Sequence, residues 1–168
     1  NKNNKMIIHA RTRYFTLLII SLILLVLLPA VYSSDTDTSS LESDIYKEKI
    51  ELYKQAIETN PDDAEVHYNL GVAYGNSGMY KEAIESYKQA TGINPDYAKA
   101  HYNLGVAYGI SGMYEEAIES CKQAIKISPD DAATHYNLGV AYSKTGMYKE
   151  AIESYKQATV INHDDADA

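Results

Sequence analysis

From Tyr46 onward, apolar residues recur three and four positions apart in short stretches, and polar turns bearing Gly or Pro close every stretch but the last. His67, Leu70, Gly71 and Tyr74 stand at i, i+3, i+4 and i+7, the spacing of one helix face. Asp62 and Asp63 follow Pro61 and are suited to cap that helix and favour its dipole. Gly75-Asn76-Ser77-Gly78 breaks it, because glycine accepts backbone conformations closed to other residues. A second helix is predicted from about Met79 to Ile93, with Tyr80, Ala83, Ile84, Tyr87 and Ala90 on its inner face. Asn94-Pro95-Asp96 ends it, since proline cannot continue a helix and disfavours it in the preceding residue.

This two-helix pattern returns every 34 residues. Ala64–Tyr97 and Ala98–Asp131 share 25 of 34 residues, and Ala64–Tyr97 and Ala132–Asp165 share 26 of 34, without a gap. HYNLGVAY begins at His67, His101 and His135, and GMY at Gly78, Gly112 and Gly146. Tyr46–Asn60 matches the second half of a unit. A fixed period of this length signals a stack of like supersecondary units rather than one irregular core. The division along the chain is then a half repeat over 46–60 and full units over 64–97, 98–131 and 132–165.

The residues before the repeats follow different patterns. Tyr14 to Ser34 carries no charge, and its centre, Leu17 to Leu28, has Ser21 as its one polar member. Lys2, Lys5, Arg11 and Arg13 precede it, and Pro29 followed by Ala30-Val31-Tyr32-Ser33-Ser34 closes it. Two readings stand for residues 1–33. A basic flank, a short apolar run and a small-residue exit fit a secretory signal peptide. Counted from Tyr14 to Tyr32, the same run nears the ~20 residues that span a bilayer as a helix. In either case the positive flank stays cytoplasmic and the remainder faces the extracytoplasmic side. The expected location is therefore membrane-anchored on that side, or secreted or periplasmic after cleavage. Residues 34–45 (SDTDTSSLESDI) are polar and acidic, the composition of a flexible linker.

The repeat resembles the tetratricopeptide repeat, whose pattern is W-x2-L-G-x2-Y, then A-x3-F, then P. Here it reads His67, Leu70, Gly71, Tyr74, Ala83, Tyr87 and Pro95. The second unit supplies His101, Leu104, Gly105, Tyr108, Ala117, Cys121 and Pro129, and the third His135, Leu138, Gly139, Tyr142, Ala151, Tyr155 and then His163 in place of Pro. The resemblance implies an all-α protein, a right-handed α-solenoid of helix-turn-helix units, preceded by one hydrophobic N-terminal helix. It also implies a concave binding face lined by the first helices. On that face lie Tyr68, Asn69 and Val72, then Tyr102, Asn103 and Val106, then Tyr136, Asn137 and Val140. Three asparagines in register form a ladder whose amides offer donors and acceptors to an extended backbone. The competing reading is that these asparagines bond within the solenoid. Repeats of this family that clamp a terminal carboxylate use Lys or Arg where Tyr68 stands and Asn where Val72 stands, and neither occurs here.

Composition narrows the function further. The chain has 168 residues and a formal charge of −8, and removing the four N-terminal cations leaves −12 on the rest. This is not the basic footprint of a nucleic-acid binder, and it favours neutral or basic partner segments. A single cysteine, Cys121, excludes an intrachain disulfide framework and fits a buried core position. His67, His101 and His135 stand one repeat apart, and packed helices ~8–10 Å apart are too distant to share an ion bound at ~2 Å. The acidic pairs Asp62-Asp63, Asp130-Asp131 and Asp164-Asp165 each stand at an expected helix start, where capping is their role. Without a phosphate loop, dinucleotide fingerprint or metalloprotease motif in the sequence, neither cofactor nor metal is expected. The sequence thus predicts a non-enzymatic scaffold for extended protein segments, with membrane contact through the N-terminal helix if it is retained. Two alternatives are a recruiting region of a larger enzyme and a self-assembling repeat module.

Overall fold

The computed structural model describes residues 38–166. Seven helices follow one another, with no strand among the described residues: α1 (Thr38–Thr59), α2 (Ala64–Asn76), α3 (Tyr80–Ile93), α4 (Ala98–Ile110), α5 (Tyr114–Ile127), α6 (Ala132–Lys144) and α7 (Tyr148–Ala166). Residues 43–168 form a compact unit, and the packing described here is that unit's. The apolar stretch Tyr14–Ser34 lies outside the described residues, and so does the expected N-terminal helix. No helix of the described residues is long and apolar enough to cross a membrane.

Each full unit is an antiparallel helix pair. Gly78, Gly112 and Gly146 turn the chain between its two helices at φ of 74°, 77° and 79°, a region where a Cβ is strained. Close approach within a pair rests on a second glycine. A Cβ on Gly71 would lie 2.6 Å from the Tyr87 ring, and one on Gly139 2.7 Å from that of Tyr155. Ala83, Ala117 and Ala151 are buried on the facing helix. Ser86, Ser120 and Ser154 are buried beside them, each donating its hydroxyl to the carbonyl four residues back at 2.9–3.0 Å. A buried hydroxyl paired in this way avoids the cost of an unmet polar group.

Stacking of the pairs supplies the core. Ile50 of α1 packs with Leu70 and Ala73 of α2. Ala83 and Tyr87 of α3 pack with Leu104 and Ala107 of α4. Ala117, Ile118 and Cys121 of α5 pack with Leu138, Ala141 and Tyr142 of α6. Each junction uses the same rows of the repeat, so one duplicated pattern builds the whole interior.

The structure differs from the sequence expectation at both ends. Residues 34–45 were expected as linker, yet α1 is helical from Thr38. That stretch contains neither Gly nor Pro, Lys47 pairs with Asp44 at 3.0 Å, and a helix nucleated by the packed Ile50 extends at little cost per residue. At the other end α7 continues to Ala166. His163 stands where Pro95 and Pro129 stop α3 and α5, so Asp164 and Asp165 lie within a helix rather than at the start of one.

Candidate protein-binding groove

The first helix of each unit presents its Tyr, Asn and Val residues along one side, and two grooves open there. One, of about 350 Å³, is lined by Tyr68, Val72, Gly75, Tyr80, Asn103, Val106 and Ile110 among others. The other, of about 740 Å³, is lined by Tyr102, Ala133, Tyr136, Asn137, Tyr155, Ala158 and Asn162 among others. Thus Tyr68, Val72, Asn103 and Val106 come together, as do Tyr102, Tyr136 and Asn137. Asn69 and Val140 are half-buried and line neither groove.

The asparagines do bond within the solenoid, in part. Asn103 donates Nδ2–H to the Tyr68 hydroxyl at 3.1 Å, and Asn137 donates to that of Tyr102 at 3.3 Å. Each bond joins consecutive units. It occupies one amide hydrogen and leaves the second, with the carbonyl oxygen, without a protein partner among the described residues. Tyr136, the last of its row, has no following asparagine among the described residues and is 56% exposed.

The tyrosines also pack on one another. The Tyr68 ring lies 5.9 Å from that of Tyr87 and 5.0 Å from that of Tyr97, tilted in both cases. Tyr136 and Tyr155 repeat the first contact at 5.5 Å. Burial raises the Tyr87 hydroxyl well above its ordinary pKa, with a smaller contribution from Tyr68. Burial likewise raises Tyr97 and Tyr155. The groove walls are therefore uncharged and carry phenol and amide groups able to donate hydrogen bonds.

Other candidate groups serve the fold. The rings of His67, His101 and His135 donate Nε2–H to the carbonyls of Pro61, Pro95 and Pro129 at 2.8–2.9 Å. Each ties the start of a helix to the preceding turn. Among the described residues no cluster of three or more His, Cys, Asp or Glu is arranged to hold a metal. Asp63 caps α2, accepting from the backbone N–H groups of Glu65 and Val66 at 3.0 and 3.2 Å. Asp131 caps α6 through the N–H of Ala133 and also accepts from the Thr134 hydroxyl. Asp62 and Asp130 make no such bond. Burial pushes the Cys121 thiol up to about 12, with a lesser effect from Asp131.

Two groove-side residues escape a reading based on the repeat alone, Tyr97 and Ile110. Tyr97 occupies the place of the capping Asp63 and Asp131, and α4 accordingly lacks a side-chain cap. Ile110 stands where Asn76 and Lys144 stand in the other units and is 56% exposed in its groove. The signal for both was present as departures from an otherwise regular pattern.

Comparison with known proteins agrees with this architecture. Models of the tetratricopeptide repeat match residues 98–131 and 132–165, and a TPR repeat model matches 46–78 and 76–109. The chain belongs to the tetratricopeptide repeat family. Among solved structures it is similar to a crystal structure of MamA, with 26% identity and a TM-score of 0.69 over 83% of this chain and 87% of that one. A second crystal structure of MamA protein is 30% identical, with a TM-score of 0.68, over 73% of this chain and 67% of that one. No curated protein matches the sequence. Family and neighbours together point to a protein–protein interaction scaffold.

Proposed function

We propose that this chain is a non-enzymatic scaffold that holds extended segments of other proteins along its first-helix face, on the extracytoplasmic side of a membrane. One observation carries the binding mode. Asn103 and Asn137 are fixed by bonds to Tyr68 and Tyr102, yet each keeps one N–H and its carbonyl for a partner. A side chain held in place before binding loses little entropy on binding. Val72, Val106 and Ile110 add apolar contact in the first groove, and Val140 continues that row. Asn69 and Tyr136 extend the polar and aromatic rows at the two ends. The acidic body favours neutral or basic segments. The basic flank and uncharged run before residue 35 support the extracytoplasmic placement.

The test compares two sets of variants against proteins that co-purify with the full chain. Replacing Asn69, Asn103 and Asn137 by Ala removes both the inter-unit bonds and the partner contacts. Tyr68→Phe with Tyr102→Phe removes the inter-unit bonds but keeps the amides. Loss of binding in the first set and a smaller but measurable weakening in the second, where the amides remain but are no longer held in place, is the expected result. Equal binding by both sets, with helicity intact, overturns the proposed mode.

A further inference from the structure

A buried phenol without a partner lies in the wall of the first groove. Tyr87 of α3 is 5% exposed, and its ring runs along α2. A Cβ on Gly71 would meet two ring carbons at 2.6 Å, and one on Gly75 would meet the hydroxyl at 3.7 Å. Gly75 and Tyr87 both line the groove between the first and second units. The neighbouring Tyr68 hydroxyl is engaged by Asn103 at 3.1 Å, whereas the Tyr87 hydroxyl makes no hydrogen bond among the described residues. Every fully buried side-chain nitrogen or oxygen there has a partner, so the little surface that Tyr87 keeps includes its oxygen. Gly75, with no side chain, leaves that oxygen open to the groove.

The remaining walls narrow what can reach it. Val72 lines one side, Val106 and Ile110 the other, and the lining residues include no Lys, Arg, Asp or Glu. A charged group seated there would lose water without meeting an opposite charge. A purely apolar side chain would fill the space but strip water from the Tyr87 hydroxyl and offer no bond in exchange. A phenol meets both conditions. Its ring packs on aliphatic and aromatic walls, and its hydroxyl can donate to or accept from that of Tyr87.

This combination does not recur at the next junction. There Cys121 stands in the place of Tyr87, Ile110 in that of Asn76, and Lys144 in that of Ile110. A segment lying along the first helices therefore meets a phenol and an aliphatic rim at one junction, and a lysine at the equivalent rim position of the next. Such a difference fixes the register of the bound segment as well as its sequence.

Resting on the reading of this face as a binding surface, we propose that the groove between the first and second units selects a tyrosine of the bound segment. Its ring lies between Val72 and the pair Val106 and Ile110, and its hydroxyl bonds that of Tyr87. The test uses the full 168-residue chain in mild detergent and three acetylated, amidated nine-residue peptides of alanine and serine. Their central residue is tyrosine, phenylalanine or glutamine, and binding is followed at the methyl resonances of Val72, Val106 and Ile110. The tyrosine peptide should bind about tenfold more tightly than the phenylalanine peptide, and more tightly than the glutamine peptide. Tyr87→Phe keeps the ring against Gly71 and removes only the unbonded hydroxyl, so it should abolish the preference for tyrosine over phenylalanine. Ile110→Lys, at an exposed position, should weaken both aromatic peptides alike. Equal affinity for tyrosine and phenylalanine, a preference that survives Tyr87→Phe, or tighter binding of glutamine overturns the proposal. So does the absence of binding by all three peptides, or binding that Ile110→Lys leaves unchanged. Failure of the asparagine ladder is read separately, from co-purifying proteins that the three Asn→Ala replacements do not release.

Discussion

Asn103 donates its side-chain amide to the hydroxyl of Tyr68, 35 residues earlier, at 3.1 Å. The bond crosses the boundary between α2 and α4, two first helices that meet along the putting-together of the first and second units. It is part-buried, where a hydrogen bond contributes about 0.5–1.5 kcal/mol net. Tyr68→Phe and Asn103→Ala should each lower stability, and the double variant should lose less than the sum. The coupling measured from urea unfolding of the four chains is expected at roughly 1 kcal/mol. Strict additivity would mean that the two groups act independently.

Glycines of the first helices divide by what surrounds them. Gly71 faces Tyr87, and an added methyl would sit 2.6 Å from two ring carbons. Tyr87 is buried and its ring would have to shift, so Gly71→Ala should cost about 1–3 kcal/mol through overpacking. Gly109, on the same kind of helix, has nothing within 4 Å of an added Cβ. There Gly109→Ala should stabilise by up to about 1 kcal/mol, since glycine is the poorer helix former. The two variants should move the thermal midpoint in opposite directions, and a shared direction would contradict the packing described.

The repeat made most of this fold legible in the sequence. Leu70, Gly71, Ala83 and Tyr87 recur at fixed spacing, and each spacing matches a contact of a helix pair. The ladder was legible as a row of asparagines, but its bonds to Tyr68 and Tyr102 were not. Those bonds depend on how consecutive units stack, which spacing within one unit does not determine. The N-terminal part of α1 was missed for a related reason. Thr38 to Asp44 is polar enough to suggest a linker, and its helicity is inherited from the packed turns around Ile50. Tyr97 and Ile110 depart from the repeat, so the recurring pattern carries no expectation for them.

Cys121 and Tyr87 should make the fold sensitive to alkali. Burial raises the thiol from 9.0 to about 12 and raises the Tyr87 hydroxyl above its ordinary 10.0. In alkaline solution the unfolded chain therefore binds fewer protons than the folded one at these two groups, and stability falls as pH rises. Their contribution is complete below pH 9 and declines above it, first through the thiol and then through the phenol. Urea midpoints should hold steady from about pH 6 to 8 and fall from about 9 to 11. Cys121→Ala and Tyr87→Phe should each flatten the fall. The thiol, 1% exposed, should also react with iodoacetamide at pH 8 on the order of a thousandfold more slowly in the folded chain. Equal rates in folded and unfolded chains would show that Cys121 is not held as described.

His163 lets the last helix run past the point where its equivalents stop. Pro95 and Pro129 occupy its place in the earlier units, and there α3 and α5 end at Ile93 and Ile127. With histidine at the position, α7 runs on to Ala166. His163→Pro would remove one N–H from the helix and set the proline ring against the carbonyl four residues earlier. It would also push Asn162 out of the helical region. The helix should then end near Ile161, as its equivalents do, with a small loss of far-ultraviolet helicity. Amide exchange should speed up from Asn162 to Ala166 and stay unchanged at Ala151 and Ser154, which pack within the pair. Stability should fall little, because His163 is exposed and the buried Ala158 lies more than a turn before the break. Protection persisting through Ala166 in the variant would show that something other than the missing proline sustains the extension.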